Sequence, residues 1–252
     1  MASTLLLLES DSMGPSDWMS LLQRQGYSVI EAGSGKTPIE TCPYLKSYLD
    51  EQAESVVLSL AQTIESRNPR MKGHSNRVSE NAVQFGRILG LSETDLAALH
   101  LSSLLHDIGK VAVPDAILFK PAKLTAEETS IMRLHPITGE EICAPLKSFH
   151  HVLPIIRHHH ERFDGSGYPD HLTGDAIPLL ARILQIADIF DALTSDRPYR
   201  SALSRENAIA ILEEEAAAGK LDKHLVNEYS SFFRNQSMNS SRRGLLGASL
   251  VH

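Results

Sequence analysis

Cysteine is nearly absent: Cys42 and Cys143 are the only two in 252 residues. That rules out a disulfide framework and a structural zinc site built from thiolates, and it points to a reducing, cytoplasmic compartment. Long apolar runs are also missing. None approaches the roughly 18 residues that a membrane span needs, so no membrane association is expected. Leu5 to Leu8 is too short for a signal-peptide core and has no basic flank. Positive charge is not in excess either, with 24 Lys and Arg against 31 Asp and Glu and a net charge of −7. This balance argues against binding to polymeric nucleic acid. It leaves room for a small anionic ligand, because bound divalent cations would reverse the local field.

Histidine, in contrast, is plentiful, with twelve in the chain. The most informative is His106, followed by Asp107 inside LLHDIGK. A neutral imidazole nitrogen and a carboxylate both ligate metals, and a carboxylate has two oxygens, so Asp107 can bridge two cations. Other ligand-type residues surround this pair in the sequence: His74, His135, the adjacent His159 and His160, and Asp188. Imidazoles with carboxylates and no thiolate suit a borderline transition metal such as iron or manganese. His159 and His160 would point about 100° apart on a helix, so both reach one metal only near a helix end or kink. The Gly165-Ser166-Gly167 stretch that follows supplies such a break.

The chain opens with TLLLLES, a short buried strand, then a helix from Pro15 to Gln25, then the strand YSVIEA. This β-α-β opening resembles the start of a response-regulator receiver domain, with Glu9-Ser10-Asp11 at the acidic position after the first strand. The stretch that would carry a phospho-acceptor aspartate has no counterpart, so residues 1–40 are expected to be a truncated receiver-like segment that is not phosphorylated. Its apolar strands need cover from the helical part or from a second subunit, which makes a homodimer one expected assembly. GSGKT at 33–37 lacks the first glycine of a phosphate-binding loop, whose place is taken by Ile30, and reads as a turn. From 44 to 234 the pattern is helical. One helix stops before Pro69, Ser92 with Asp95 caps another that runs through Leu105, and Thr125 with Glu128 opens a third toward His135. Ser204 caps a later helix that Gly219 closes. The polar, aperiodic stretch 235–252 reads as a disordered tail. The expected fold is mainly α, an all-helical bundle after a small β-α-β segment.

Five stretches occur in order: His74 to Val78 (H-S-x-R-V), HDIGK at 106–110, H-P-x-x-G at 135–139, HHERFDGSGYP at 159–169 and ADIFDALTSDRPYR at 187–200. Together they resemble the HD-GYP phosphodiesterases over roughly residues 55 to 230. The resemblance implies an all-helical HD fold, an iron or manganese centre of two or three ions, and hydrolysis of cyclic di-GMP or a related cyclic dinucleotide to pGpG or GMP. It assigns His74, His106, Asp107 and Asp188 to one metal and Asp107, His135, His159 and His160 to the other. It sets Lys110 beside the attacking hydroxide and a phosphate oxygen. It gives substrate contacts to Arg197 and Arg200, whose guanidinium groups suit phosphate oxygens and stack on guanine. Asp164, Gly165, Gly167, Tyr168 and Pro169 form the GYP loop, which shapes the substrate site and offers a surface to diguanylate-cyclase partners. Asp191 is expected to orient a ligand rather than to bind metal. His100, His150, His151, His158, His171, His224 and His252 are left as structural or solvated.

Two positions depart from the family pattern. Members with three metals carry a glutamate four residues before the first histidine, and here that residue is Arg70. A common aspartate six residues before it is Asn68. A guanidinium repels a further dication, so two metals are expected. A different class of function is a cyclic-dinucleotide sensor or adaptor that works through its GYP loop with little turnover. A third reading is an HD-type phosphohydrolase for another nucleotide, against which the GYP loop and Arg197/Arg200 argue.

Overall fold

The computed structural model describes residues 4–8, 24, 28–32, 43–67, 71–196 and 201–234. The chain divides into two compact units, Met1–Val56 and Val57–His252. The boundary falls later than the sequence pattern places it, inside a helix.

In the first unit, β1 (Thr4–Leu8) and β2 (Ser28–Ala32) pair in parallel, with Thr4 opposite Ser28 and Leu8 opposite Ala32. Both strands fall where the sequence pattern places them. The helix expected from Pro15 to Gln25 lies outside the described residues except for Arg24, as do the GSGKT turn and the tail 235–252.

The second unit is helical, as the sequence pattern requires. Helix α1 (Pro43–Ser66) ends ahead of Pro69 and contributes Ala61 and Ile64 to the core. Helix α2 (His74–Ile88) buries His74, Val78, Ala82 and Phe85. That spacing is one helical stripe, so the apolar pattern of α2 also turns His74 inward. Glu65 closes the start of α2 by accepting from the Ser75 amide at 3.1 Å. Helix α3 (Glu93–Leu105) is capped by Ser92, whose hydroxyl accepts from the Asp95 amide at 3.2 Å. A 3-10 helix, Ile108–Ala112, follows directly after His106 and Asp107. Then come α4 (Asp115–Leu118), α5 (Ala126–Met132) and α6 (His135–Cys143). Thr125 and Glu128 form the expected capping box on α5. Helix α7 (Leu153–His158) is short, and α8 (Leu179–Thr194) is buried on most sides, with Ala181, Ile183, Leu184, Ile186, Ala187 and Phe190 in the core. Helix α9 (Arg205–Ala217) starts at the Ser204 cap, and Gly219, at φ 81°, follows its end. The last helix, α10, spans 223–234 and packs Tyr229 edge-on against Phe85 and Phe190, 5.0 and 5.4 Å between ring centroids.

One close approach fixes the geometry of the site. A Cβ on Gly109 would lie 2.0 Å from the His135 carbonyl oxygen and 2.6 Å from the Gly139 amide nitrogen. Only glycine lets the 3-10 helix lie flat on α6, and this brings Asp107 to His135.

Candidate metal centre

Most of the ligand-type residues sit at helix ends. His74 begins α2 and His135 begins α6, while His106 follows the last turn of α3 and His159 the last turn of α7. A helix leaves its last carbonyls without backbone partners. Three of the rings use such carbonyls. The Nδ1 atoms of His106, His135 and His159 lie 2.8, 2.8 and 2.7 Å from the carbonyls of Ser103, Met132 and Ile156, each three residues back. Donation from Nδ1 fixes the tautomer and leaves the Nε2 lone pair facing inward. His74 is held differently. Its Nδ1 lies 2.7 Å from Asp191 Oδ2, and Arg77 grips the same carboxylate through Nε at 2.6 Å and Nη2 at 3.1 Å. Asp191 therefore orients a ring, the role expected of it. Arg77 was assigned no role, although it is the arginine of the H-S-x-R-V stretch.

The seven residues form two adjoining groups. Donor atoms of Asp107, His135, His159 and His160 all lie within 4.8 Å of one another, and so do those of His74, His106 and Asp188. Asp107 joins the two: its Oδ2 is 3.4 Å from His106 Nε2 and its Oδ1 is 3.4 Å from His135 Nε2. His74 Nε2 lies 3.3 Å from Asp188 Oδ1. His159 and His160 lie at the end of α7, so the chain leaves the helix between their side chains and both rings reach one group. The helix end itself provides this break, ahead of the glycines 165–167.

These residues fit divalent ions. His135 Nε2 and His159 Nε2 stand 3.4 Å apart, and each is an acceptor once its Nδ1 donates to a carbonyl. Two facing lone pairs repel unless a cation lies between them. His106 Nε2 and Asp107 Oδ1 are buried without a hydrogen bond. Separations of this size are those of neighbouring ligands about one ion with bonds of roughly 2.0–2.4 Å.

Electrostatics separate the two groups. Burial favours a neutral His74 ring, but Asp188 and Asp191 outweigh it and hold the pKa up to about 9. Burial, with Lys110 adding to it, pushes His135 down to about 3. Burial pushes His160 down to about 4 and His159 well below the ordinary imidazole range. Burial opposes the charge on Asp107, yet Lys110, His106 and His135 hold its carboxyl well below the usual range. A metal entering beside His135, His159 and His160 therefore displaces no proton near neutrality, whereas one entering beside His74 displaces one. Apparent Mn2+ affinity in the His74 group should rise by about tenfold per pH unit from about pH 7 and level off above about 9, with no such slope in the other group. Titrations of stripped protein at several pH values check this; equal slopes at both groups would refute it.

A cavity of about 320 Å³ opens over the two groups, with His74, Asp107, Lys110, His160 and Asp188 on its polar side and Ile64, Met71, Leu118 and Met132 among its apolar lining. Lys110 Nζ is 2.6 Å from Asp107 Oδ2. Two residues of the GYP loop are engaged in the loop's own structure. The Asp164 carboxylate accepts from the Ser166 amide at 2.9 Å and the Ser166 hydroxyl at 2.6 Å, which makes it a turn former. Gly167 is buried against backbone, where a Cβ would lie 2.1 Å from the Arg162 nitrogen. Neither lines the cavity. Tyr168 stacks on His160 at 4.9 Å and 29°. Arg197 and Arg200 lie outside the described residues, as do Asn68 and Arg70.

Sequence reasoning also passed over Glu161. It is fully buried, and its carboxylate accepts from the amides of Asp170 at 2.6 Å and Leu172 at 3.2 Å. His158, left as structural, has its Nδ1 3.4 Å from Asp170 Oδ2. His100, also left so, pairs with Ser79 at 2.7 Å.

An all-helical bundle carrying two adjoining histidine–carboxylate groups is compatible with divalent metal binding. Residues 59–225 match the HD domain family, and the chain belongs to that family. Among curated proteins it is 43% identical over 166 residues to the cyclic di-GMP phosphodiesterase response regulator RpfG of Xanthomonas campestris pv. campestris, covering 65% of this chain and 44% of that one. It is 40% identical over 165 residues to 3'3'-cGAMP-specific phosphodiesterase 3 of Vibrio cholerae, covering 66% of this chain and 36% of the other. The chain thus spans less than half the length of these relatives. Among solved structures, an HDG"Y"P protein of Bdellovibrio bacteriovorus superposes with a TM-score of 0.54 over 75% of this chain and 63% of that one. At 22% identity it bears on the fold alone.

Proposed function

We propose that this chain is a binuclear metal-dependent phosphodiesterase that hydrolyses cyclic di-GMP or a related cyclic dinucleotide to pGpG, GMP or both. The observation that carries this reading is the placement of Asp107, one oxygen toward each group of histidines. The names of the relatives support the substrate class, since one is a cyclic di-GMP phosphodiesterase and another is specific for 3'3'-cGAMP.

His74, His106, Asp107 and Asp188 would hold one ion, and Asp107, His135, His159 and His160 the other, iron or manganese by their donor chemistry. When bound, two such ions supply Lewis-acid neutralisation of a phosphodiester and activation of a water. The chain's own residues do the rest. The Lys110 ammonium sits on the cavity wall beside Asp107 and puts a positive charge where a phosphoryl oxygen is to be received. The apolar lining offers a surface to a nucleobase and excludes water. Arg197 and Arg200 are assigned to the substrate phosphates or to stacking on guanine. Asp164 and Gly167 act by building the loop, and Tyr168 faces the centre through His160.

Arg70, in place of a third-metal glutamate, favours two ions and accumulation of pGpG ahead of GMP. Residues 1–40 are read as receiver-like, and diguanylate-cyclase domains and a second copy of the chain as partners. No helix among the described residues is long and apolar enough to cross a membrane, and a cytoplasmic setting agrees with the sparse cysteine.

The test is anaerobic reconstitution with Fe2+ or Mn2+, metal counting, and turnover of cyclic di-GMP and 3'3'-cGAMP. Two metals per chain and ready hydrolysis are expected. Binding of the dinucleotide without turnover would instead identify a sensor.

A further inference from the structure

His160 is the exception among the ligand-type histidines. His106, His135 and His159 each have Nδ1 tied to a carbonyl, and His74 is tied to Asp191. Among the described residues His160 has no hydrogen bond on either ring nitrogen. An imidazole free to rotate about χ2 is a poor ligand, because ordering it at the moment of binding costs entropy. Its ring plane is set instead by stacking. His159 lies against it at 4.0 Å and 43°, and Tyr168 at 4.9 Å and 29°. The Tyr168 ring is engaged by a cation as well, with the Arg133 guanidinium over it, 5.1 Å from its centroid.

Tyr168 sits on a loop that has no regular secondary structure of its own, so something must hold it in place. Glu161 does so from one residue beyond His160. Its buried carboxylate takes the Asp170 and Leu172 amides, its carbonyl takes the Gln185 side-chain amide, and its own amide donates to the His158 carbonyl at 3.0 Å. The Tyr168 amide donates to the His160 carbonyl at 3.2 Å, which closes the loop back on the ligand. From outside, Arg157 grips the Asp170 carboxylate at 2.6 and 2.9 Å and reaches Glu140 on α6 at 2.5 Å. A charged carboxylate with hydrogen bonds to two amides is a strong anchor, and burying it is tolerable only because both oxygens are satisfied.

We propose that the GYP loop is a positioning device for a metal ligand: Tyr168 fixes the ring plane of His160 by stacking, and Glu161 anchors the loop that carries Tyr168. Both are positioning residues, neither a ligand. The proposal rests on the metal-centre part of the reading above and is independent of the substrate.

The experiment uses the full chain and Mn2+ as the probe. Affinities at the two groups are measured by titration for the wild type, Tyr168→Phe, Tyr168→Leu, Glu161→Gln and the double variant Glu161→Gln/Tyr168→Leu. Tyr168→Leu and Glu161→Gln should each weaken one of the two Mn2+ sites about 10- to 100-fold, the usual range for groups that orient a ligand, and leave the other site unchanged. Tyr168→Phe keeps the ring and should stay within about twofold of the wild type, a rescue that a general loss of packing would not give. The double variant should be no weaker than Tyr168→Leu alone, since Glu161 acts through that ring. Tyr168→Leu needs no buried charge removed and decides the matter even where Glu161→Gln fails to fold. Wild-type Mn2+ affinity in Tyr168→Leu, or additive losses in the double variant, would overturn the inference alone. A wild-type chain that binds no Mn2+ would overturn both this inference and the metal reading beneath it.

Discussion

Asp107→Ala should strip the protein of both metals and reduce turnover on the order of 10³-fold or more, because on the proposed reading this one side chain would serve two ions and the Lys110 beside it would lose its partner. His106→Ala removes a donor from one group only, so one metal should remain. Asp107→Asn is the informative intermediate. It keeps the shape and one acceptor oxygen but lacks the charge, and metal content near one per chain is expected. Metal analysis after anaerobic reconstitution, beside a turnover assay, separates these cases. If Asp107→Ala kept two tightly bound metals, the bridging role would be wrong however low its activity.

Gly109→Ala should be strongly disruptive for so small a substitution. The added methyl would meet the His135 carbonyl at 2.0 Å and the Gly139 amide at 2.6 Å, both backbone atoms that cannot turn aside. The 3-10 helix would have to lift off α6 and draw Asp107 away from His135. Overpacking of this kind costs about 3 kcal/mol or more, which for a domain of this size lowers Tm by about 6–12 °C. Gly139→Ala is the internal control. Its methyl would meet Cγ2 of the buried Ile156 at 3.1 Å, one tight side-chain contact rather than two backbone clashes, and a smaller loss of about 1–2 kcal/mol is expected. Thermal melts of both variants decide it; a Tm for Gly109→Ala within about 2 °C of the wild type would show that the contact is softer than the backbone geometry implies.

Much of this was legible in the chain itself, for reasons that particular residues make plain. Ser92, Thr125 and Ser204 mark helix starts because a hydroxyl followed three residues on by a free amide is a local device, complete within one turn. The histidines of the centre were legible through the fixed order of HDIGK, H-P-x-x-G and HHE, and the structure gathers all seven ligand-type residues into two adjoining clusters of donor atoms. The support for those rings was not legible. That Ser103, Met132 and Ile156 offer carbonyls depends on where α3, α5 and α7 end, and helix ends shift by a residue or two without changing the pattern. Glu161 was missed for a different reason. Its neighbours in the sequence name no partner for it, and only the return of the chain at Asp170 and Leu172 shows what its carboxylate binds. Asp164 and Gly167 were drawn toward substrate by their place in the loop, whereas their local chemistry is that of a turn and a close backbone approach.

The donors that face one another come from segments far apart along the chain, from the start of α2 at His74 to the middle of α8 at Asp188. Groups so distant in sequence meet only after long loops have closed, which is the slow part of folding. A chain that stops short of Asp188 already carries Asp107, His135, His159 and His160, whereas the group of His74 and His106 still lacks its carboxylate. That group is therefore the last to close. A chain emerging from the ribosome must bring α8 onto the bundle by apolar packing before a metal held across both groups could add its stability to the finished form.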